Sequence, residues 1–288
     1  GNLISRKFKF NYNQKPKKFK PFIVKSPENL MLNNKTIKIF ENYYYNNLIN
    51  IKNNANKYKS KLILVTQVIS NEHWLKDYLS IINNFTNNFC KNKKILCIDL
   101  SNEKMIGIDN EALGLVLGRD PLTLVQLGLA SKKFYLIKLN RETYKAPNLV
   151  KVLSSQTTEF VMHYARQDLM WLKYHLKVEP KNIFCTKLAS KIARTASSYH
   201  GYKDLVKELC GKDISKKEQQ SDWGNPNLSP KQISYAAQDT EYLFEIKDKL
   251  TKMLLREKRM DLFNKCMKVI PVMVDMEISG YKLSTFEH

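Results

Sequence analysis

Two carboxylates two residues apart are the first place where this chain can do chemistry. In IGIDNEALGL, Asp109 and Glu111 follow an apolar run, and strand alternation puts both on one face. Like charges side by side on an apolar strand are unfavourable unless a cation holds them. Hard divalent ions such as Mg2+ or Mn2+ take oxygen ligands of this kind. A solvent-exposed strand end explains the pair equally well. A third acid, Asp168, lies in TTEFVMHYARQDLMWLKYHL, where Leu169, Leu172 and Leu176 mark one buried side of a helix. A single aspartate so placed is more often a solvated or hydrogen-bonded residue than a ligand. In SPKQISYAAQDTEYLFEI, residues 229–246, Ser229 is an N-cap, Pro230 suits the first turn and Gln232 completes a capping box. Tyr235, Ala236, Asp239, Leu243 and Ile246 then fall near one face. A tyrosine and an aspartate, four residues apart, thus interrupt a stripe that otherwise belongs in a core. A tyrosine hydroxyl satisfying a semi-buried aspartate accounts for that pair. It does not account for acids placed this way in three separate segments.

These residues need a framework. KLILVTQVIS reads as a strand, NEHWLKDYLSIINNF as a helix, and KKILCIDLS and EKMIGIDNEALGL as two more strands. LTLVQLGLA and KFYLIKL are two further strands. From about residue 148 the pattern becomes mostly helical. Strands first and helices later, with one early helix, predict an α/β domain with a mixed sheet.

The chain has 288 residues, 43% of them hydrophobic, enough for a sizeable core. Its formal net charge of +21 points to a polyanionic partner, nucleic acid before an acidic membrane surface. Residues 1–60 hold 13 Lys or Arg against two acids, Glu28 and Glu41, and so carry more than half of that charge. They also hold 13 Asn, the usage an AT-rich genome encodes, and read as an extended basic arm. The five cysteines form no CxxC pair, which suggests a reducing compartment and no zinc site. No apolar run approaches the roughly 18 residues of a membrane span, so no membrane partner is expected.

Taken as a set, the acids in the order DxE, D, YxxxD resemble the DEDD superfamily of 3′–5′ exonucleases, in its tyrosine subgroup. The resemblance covers roughly residues 61–262. LTLVQLGLASKKFYLI is similar to the strand pair after the first motif, and HYARQDLMWL to the second motif. SDWGNPNLSPKQISYAAQDTEYL is similar to the third motif as it stands in RNase D and family A DNA polymerases. The resemblance implies an α/β, ribonuclease H-like exonuclease fold with a mixed five-stranded sheet flanked by helices. Asn110 departs from the Thr or other small or apolar residue usual there. Cys185 replaces the Asp that commonly precedes the Thr, and the stretch from Cys90 to Lys104 looks like an insertion. HYARQD also resembles the third motif of the histidine subgroup, with His163 as the helper of the base. That alternative needs another Asp between Glu111 and His163, where only Asp120 stands, and leaves the Tyr235–Asp239 helix unexplained.

The resemblance implies catalytic residues Asp109, Glu111, Asp168, Tyr235 and Asp239, with two divalent metal ions, Mg2+ or Mn2+, as cofactors. Asp109, Glu111 and Asp239 hold one ion, Asp109 and Asp168 the other, and Tyr235 orients the attacking water. The implied partner is the 3′ end of single-stranded DNA, with RNA as the other substrate that fits. FNKCMKVIPVMVDMEISGYKLS is similar, at Pro271, Met276–Glu277 and Gly280, to the junction where family A polymerases pass from exonuclease to polymerase domain. The expected organisation is a basic extension over 1–60, an exonuclease domain over 61–262 and the start of a polymerase junction over 263–288. The expected function is DNA proofreading beside a covalent or associated polymerase domain, in an organelle (apicoplast or mitochondrion). The alternatives are a free RNase D-like exoribonuclease and a non-catalytic module that binds single strands.

Overall fold

The computed structural model describes residues 103–215 and 217–286, with residues 45–46, 49, 63–65, 91, 96–98 and 100. The chain divides into two units, Gly1–Ile49 and Asn50–His288, and the elements below belong to the second. Nearly all of the basic extension, the helix expected over NEHWLKDYLSIINNF and most of the stretch read as an insertion lie outside the described residues.

Strands β1 (Ile63–Val65) and β2 (Leu96–Ile98) pair in parallel as a two-stranded sheet. The main sheet has five strands in the order β5-β4-β3-β6-β7. They are β3 (Met105–Ala112), β4 (Leu122–Leu129), β5 (Phe134–Lys138), β6 (Glu159–Met162) and β7 (Ile183–Cys185). The β3–β4 and β4–β5 pairs are antiparallel, and β3–β6 and β6–β7 are parallel. A mixed five-stranded sheet is therefore present, but not from the five segments that read as strands. Ile63–Val65 and Leu96–Ile98, from the first two of those segments, pair with each other, and β6 and β7 complete the main sheet from the half that reads as helical. The physical reason is their length and burial. Phe160, Val161 and Met162 are all 0% exposed, so this four-residue strand has no polar face to alternate with its apolar one.

Helices cover both faces. On one, α1 (Pro147–Leu153), α2 (Ala165–Trp171, continuing as a π-helical turn over Leu172–Leu176) and α7 (Met260–Ile278) pack on Ile106, Ile108, Val125 and Phe160. On the other, α3 (Thr186–Ala193), the short α4 (Tyr202–Leu205) and α6 (Leu243–Arg256) pack on Val161 and Phe184. Phe160 and Val161, neighbours in β6, enter different cores, as the pleat requires.

Helix α5 (Pro230–Glu241) shares that second face, over β3 and β4. Its start is built as its sequence predicts. Ser229 Oγ accepts from the Gln232 backbone N–H at 3.2 Å, and Gln232 Oε1 accepts from the Ser229 N–H at 2.9 Å. Its end lies unusually deep because two glycines face each other beneath it. Gly107 and Gly128 are cross-strand partners, and a Cβ on Gly128 would meet Thr240 Oγ1 at 2.6 Å.

Candidate active site

β3 carries Gly107, Asp109 and Glu111 on one face, and β4 carries Leu124, Gln126 and Gly128 opposite them. That is the face on which α5 lies, so Thr240 over the glycines carries Asp239 down to the strand acids. Carboxylate oxygens of Asp109, Glu111 and Asp239 lie within 4.8 Å of one another. β3 runs on past the end of its β6 pairing, which stops at Ile108–Met162, so Asp109 is the first residue beyond it. Helix α2, which follows β6, fills that space and brings Asp168, 4% exposed. Tyr164 makes the reversal into α2 in a left-handed conformation with φ of 68°. The N–H of Ala165, first in the helix, donates to Cys185 Sγ at 3.4 Å. The cysteine thus receives a helix-end donor despite its departure from the family pattern.

The five residues singled out from the sequence line one cleft of about 930 Å³. His163 also lines it, with Nδ1 2.9 Å from Thr186 Oγ1, which in turn donates to the Met162 carbonyl at 3.2 Å. The acid that completes the ligand-sized cluster with Asp109 and Glu111 is Asp239, on the tyrosine helix.

Other contributions carry no signal in the sequence. Asn110 Nδ2 donates to the Asp168 carbonyl at 3.1 Å, tying β3 to α2. Gln126, 1% exposed, directs Nε2 between Asp109 Oδ2 at 3.5 Å and Glu111 Oε1 at 3.4 Å. These contacts are long, and they are far from neutralising the charge. Among the described residues, no Lys or Arg forms an ion pair with Asp109, Glu111 or Asp168.

The electrostatics follow. Burial pushes Asp109 up to about 7, opposed by the Asn110 backbone N–H. Burial, then the charges of Asp109 and Asp239, push Glu111 up to about 10. Burial and the other three carboxylates hold Asp168 well above the usual range. Its buried Oδ2 has no hydrogen-bond partner among the described residues. A carboxylate so placed is costly unless a cation compensates it. Burial, then the charges of Asp239, Glu111 and Asp109, hold the Tyr235 phenol well above its usual range. At neutral pH this hydroxyl keeps its proton and acts as a donor. The cluster therefore offers converging hard oxygens, as divalent cations require, with a hydroxyl beside them to aim a water.

A sequence profile of the DNA polymerase A exonuclease family, described as 3'-5' exonuclease, matches residues 87–255. Ribonuclease D of Xanthomonas oryzae pv. oryzae is 34% identical over 155 residues, 54% of this chain and 42% of that protein. DNA polymerase I of Aquifex aeolicus is 32% identical over 155 residues, 54% of this chain and 25% of the polymerase. This chain thus spans well under half the length of these curated relatives. Among solved structures, Brucella melitensis NrnC with bound Mg2+ is 34% identical with a TM-score of 0.62, covering 65% of this chain and 91% of that one. The same Brucella protein is also known bound to pGG.

Proposed function

This chain belongs to the DNA polymerase A type of 3′–5′ exonuclease family, within the DEDD superfamily, and from that premise we propose that it is an RNase D-like exoribonuclease acting on single-stranded 3′ ends. Two divalent metal ions are the family's cofactors, and the donors here fit them. The clustered oxygens and the unpartnered, buried Asp168 Oδ2 are the observations that carry the fit. Asp109, Glu111 and Asp239 would hold one ion, and Asp109 with Asp168 the other. Bound there, the ions supply the positive charge that phosphodiester hydrolysis needs.

The chain's own residues do the rest. The cleft seats the terminal nucleotide beside the acids. Tyr235, kept protonated, donates its hydrogen bond and orients the water that attacks phosphorus. The 3′-oxygen of the preceding nucleotide leaves, and a nucleoside monophosphate is released. Asn110 and Gln126 hold α2 and the strand acids in register.

RNA is favoured because ribonuclease D proteins recur among the relatives at 28–34% identity, and the Brucella neighbour is known with the dinucleotide pGG. DNA proofreading, the expectation from the C-terminal motif, is the second reading. It is favoured by the match to DNA polymerase I and by α7, which carries Pro271 within the helix and pairs Glu277 with Arg166 of α2. The test is nucleotide release from matched 5′-labelled RNA and DNA strands with Mg2+, Mn2+ or EDTA. Faster degradation of RNA supports the first reading. Exclusive degradation of DNA, increased by a terminal mismatch, replaces it with the second.

A further inference from the structure

We propose that Trp223 is a positioning residue for the reaction, acting through Tyr235. The inference rests on the role given to Tyr235 above. SDW precedes the tyrosine helix in sequence, yet none of its side chains belongs to the acid cluster. Trp223 is 2% exposed although it lines the cleft. Its ring lies 6.0 Å from that of Tyr235 at 42°, and it packs with Leu124 of β4 and Ala236 of α5. Among the described residues it is the one aromatic ring against Tyr235.

The backbone around Trp223 is stapled to the same helix. Gln232 Nε2 donates to Ser221 Oγ at 3.2 Å and to the Asp222 carbonyl at 3.0 Å, while its amide oxygen serves the capping box. Lys138 Nζ donates to the Trp223 carbonyl at 3.4 Å from β5. The indole is thereby wedged between the sheet and the tyrosine. Its Nε1–H has no acceptor among the described residues. Packing alone holds the ring, so its shape and not its donor carries the role.

Trp223 is the aromatic wall against which the Tyr235 ring rests, in a cluster completed by Leu124 and Ala236. Removing that wall lets the hydroxyl wander while leaving every carboxylate in place. The chemical step then slows without weaker substrate binding.

The experiment compares Trp223→Phe, Trp223→Met, Tyr235→Phe and the Trp223→Met/Tyr235→Phe pair in the full chain. Readouts are kcat and KM for nucleotide release from RNA and DNA, Mn2+ affinity by calorimetry, and melting in EDTA. Phe keeps a ring and is expected within about twofold of wild type. Met fills space without a ring and is expected to lower kcat about tenfold at constant KM and Mn2+ affinity. In the Tyr235→Phe background the same change is expected to cost nothing further, because the hydroxyl it positions is gone. A full tenfold loss on top of Tyr235→Phe, or a Trp223→Met enzyme with unchanged kcat, overturns the proposal and leaves the role of Tyr235 standing. A fully active Tyr235→Phe enzyme overturns that role itself, and the positioning with it.

Discussion

Replacing Gly128 by alanine asks whether the depth of α5 on the sheet governs activity. The new Cβ would meet Thr240 Oγ1 at 2.6 Å and Thr240 Cβ at 2.8 Å, where ordinary contact lies at 3.4–4 Å. Rotating the Thr240 side chain moves Oγ1 but not Cβ. The end of α5 must therefore retreat by between about 0.6 and 1.2 Å. Asp239 precedes Thr240 and retreats with it, away from Asp109 and Glu111. A misplacement of about 1 Å at a reacting centre costs roughly a hundredfold. The expected loss in kcat is one to two orders of magnitude, or about 1.4–2.8 kcal/mol of transition-state stabilisation. Overpacking costs a further ~1–3 kcal/mol in stability. Single-turnover nucleotide release and a Mn2+ titration read the two consequences of the shift, a slower reaction and weaker metal affinity. Gly107→Ala is a graded control: its Cβ meets the movable Leu243 Cδ1 at 3.1 Å and the Thr240 carbonyl only at 3.4 Å. Thr240→Gly in the Gly128→Ala background removes both clashing atoms. It should restore activity while costing roughly 0.3–0.5 kcal/mol in helix propensity, the difference between Gly and Thr. A Gly128→Ala enzyme with wild-type rate and Mn2+ affinity would refute the reasoning.

Asp239→Asn should nearly abolish cleavage, whereas Tyr235→Phe should leave a residue of activity after a loss of roughly a hundred- to a thousandfold; a dead His163→Ala beside a fully active Tyr235→Phe would instead give the role to the histidine. With metal chelated, the raised carboxylates bind protons more tightly in the folded state than in the unfolded chain. Their contribution to stability is complete below about 4, the unfolded value, and is lost as pH rises through about 7 for Asp109 and towards about 10 for Glu111. Melting temperature in EDTA, taken as wild type minus Asp109→Asn, should therefore fall with rising pH, and Mg2+ or Mn2+ should flatten that fall. A flat difference curve in EDTA would mean that burial does not raise the proton affinity of these acids in the folded state.

The site was more legible than the fold that carries it. Asp109 and Glu111 announce themselves because alternation is a local property, visible within a few residues. Tyr235 and Asp239 do so because a capping box fixes the phase of their helix. β6 and β7 were illegible for the opposite reason: a three- or four-residue strand buried on both faces has no period. Asn110 reads only as a departure from the family pattern. Its side-chain bond to the Asp168 carbonyl depends on where α2 lies, a fact of tertiary structure. Gly107 and Gly128 carry no signal singly, and only the β3–β4 register shows that they face each other. The second core aspartate of the cleft, Asp168, was visible as an acid on a helix with a buried side. That its Oδ2 has no hydrogen-bond partner among the described residues was not.

The four carboxylates come from elements that lie on different faces of one sheet, which bears on what holds them together. α5 reaches Asp109 from the face of the glycines. α2 belongs to the opposite core, through Leu169 and Leu172, and arrives past the end of β6. Nothing in the acids themselves favours this meeting, since Asp109 and Asp239 raise the proton affinity of Glu111, and those three raise that of Asp168. The approach must be enforced by packing elsewhere, and for α2 much of that packing is α7. Ile270 and Val274 are buried in the same core as Leu169. Arg166, two residues before Asp168, pairs with Glu277 and also donates to the Tyr164 hydroxyl. Lys173 at the other end pairs with Asp275. The C-terminal segment that reads as the start of a junction is thus a brace for α2. It holds Asp168 against the repulsion of its neighbours, and divalent ions bound by the same acids would remove that repulsion and stabilise the fold by mass action.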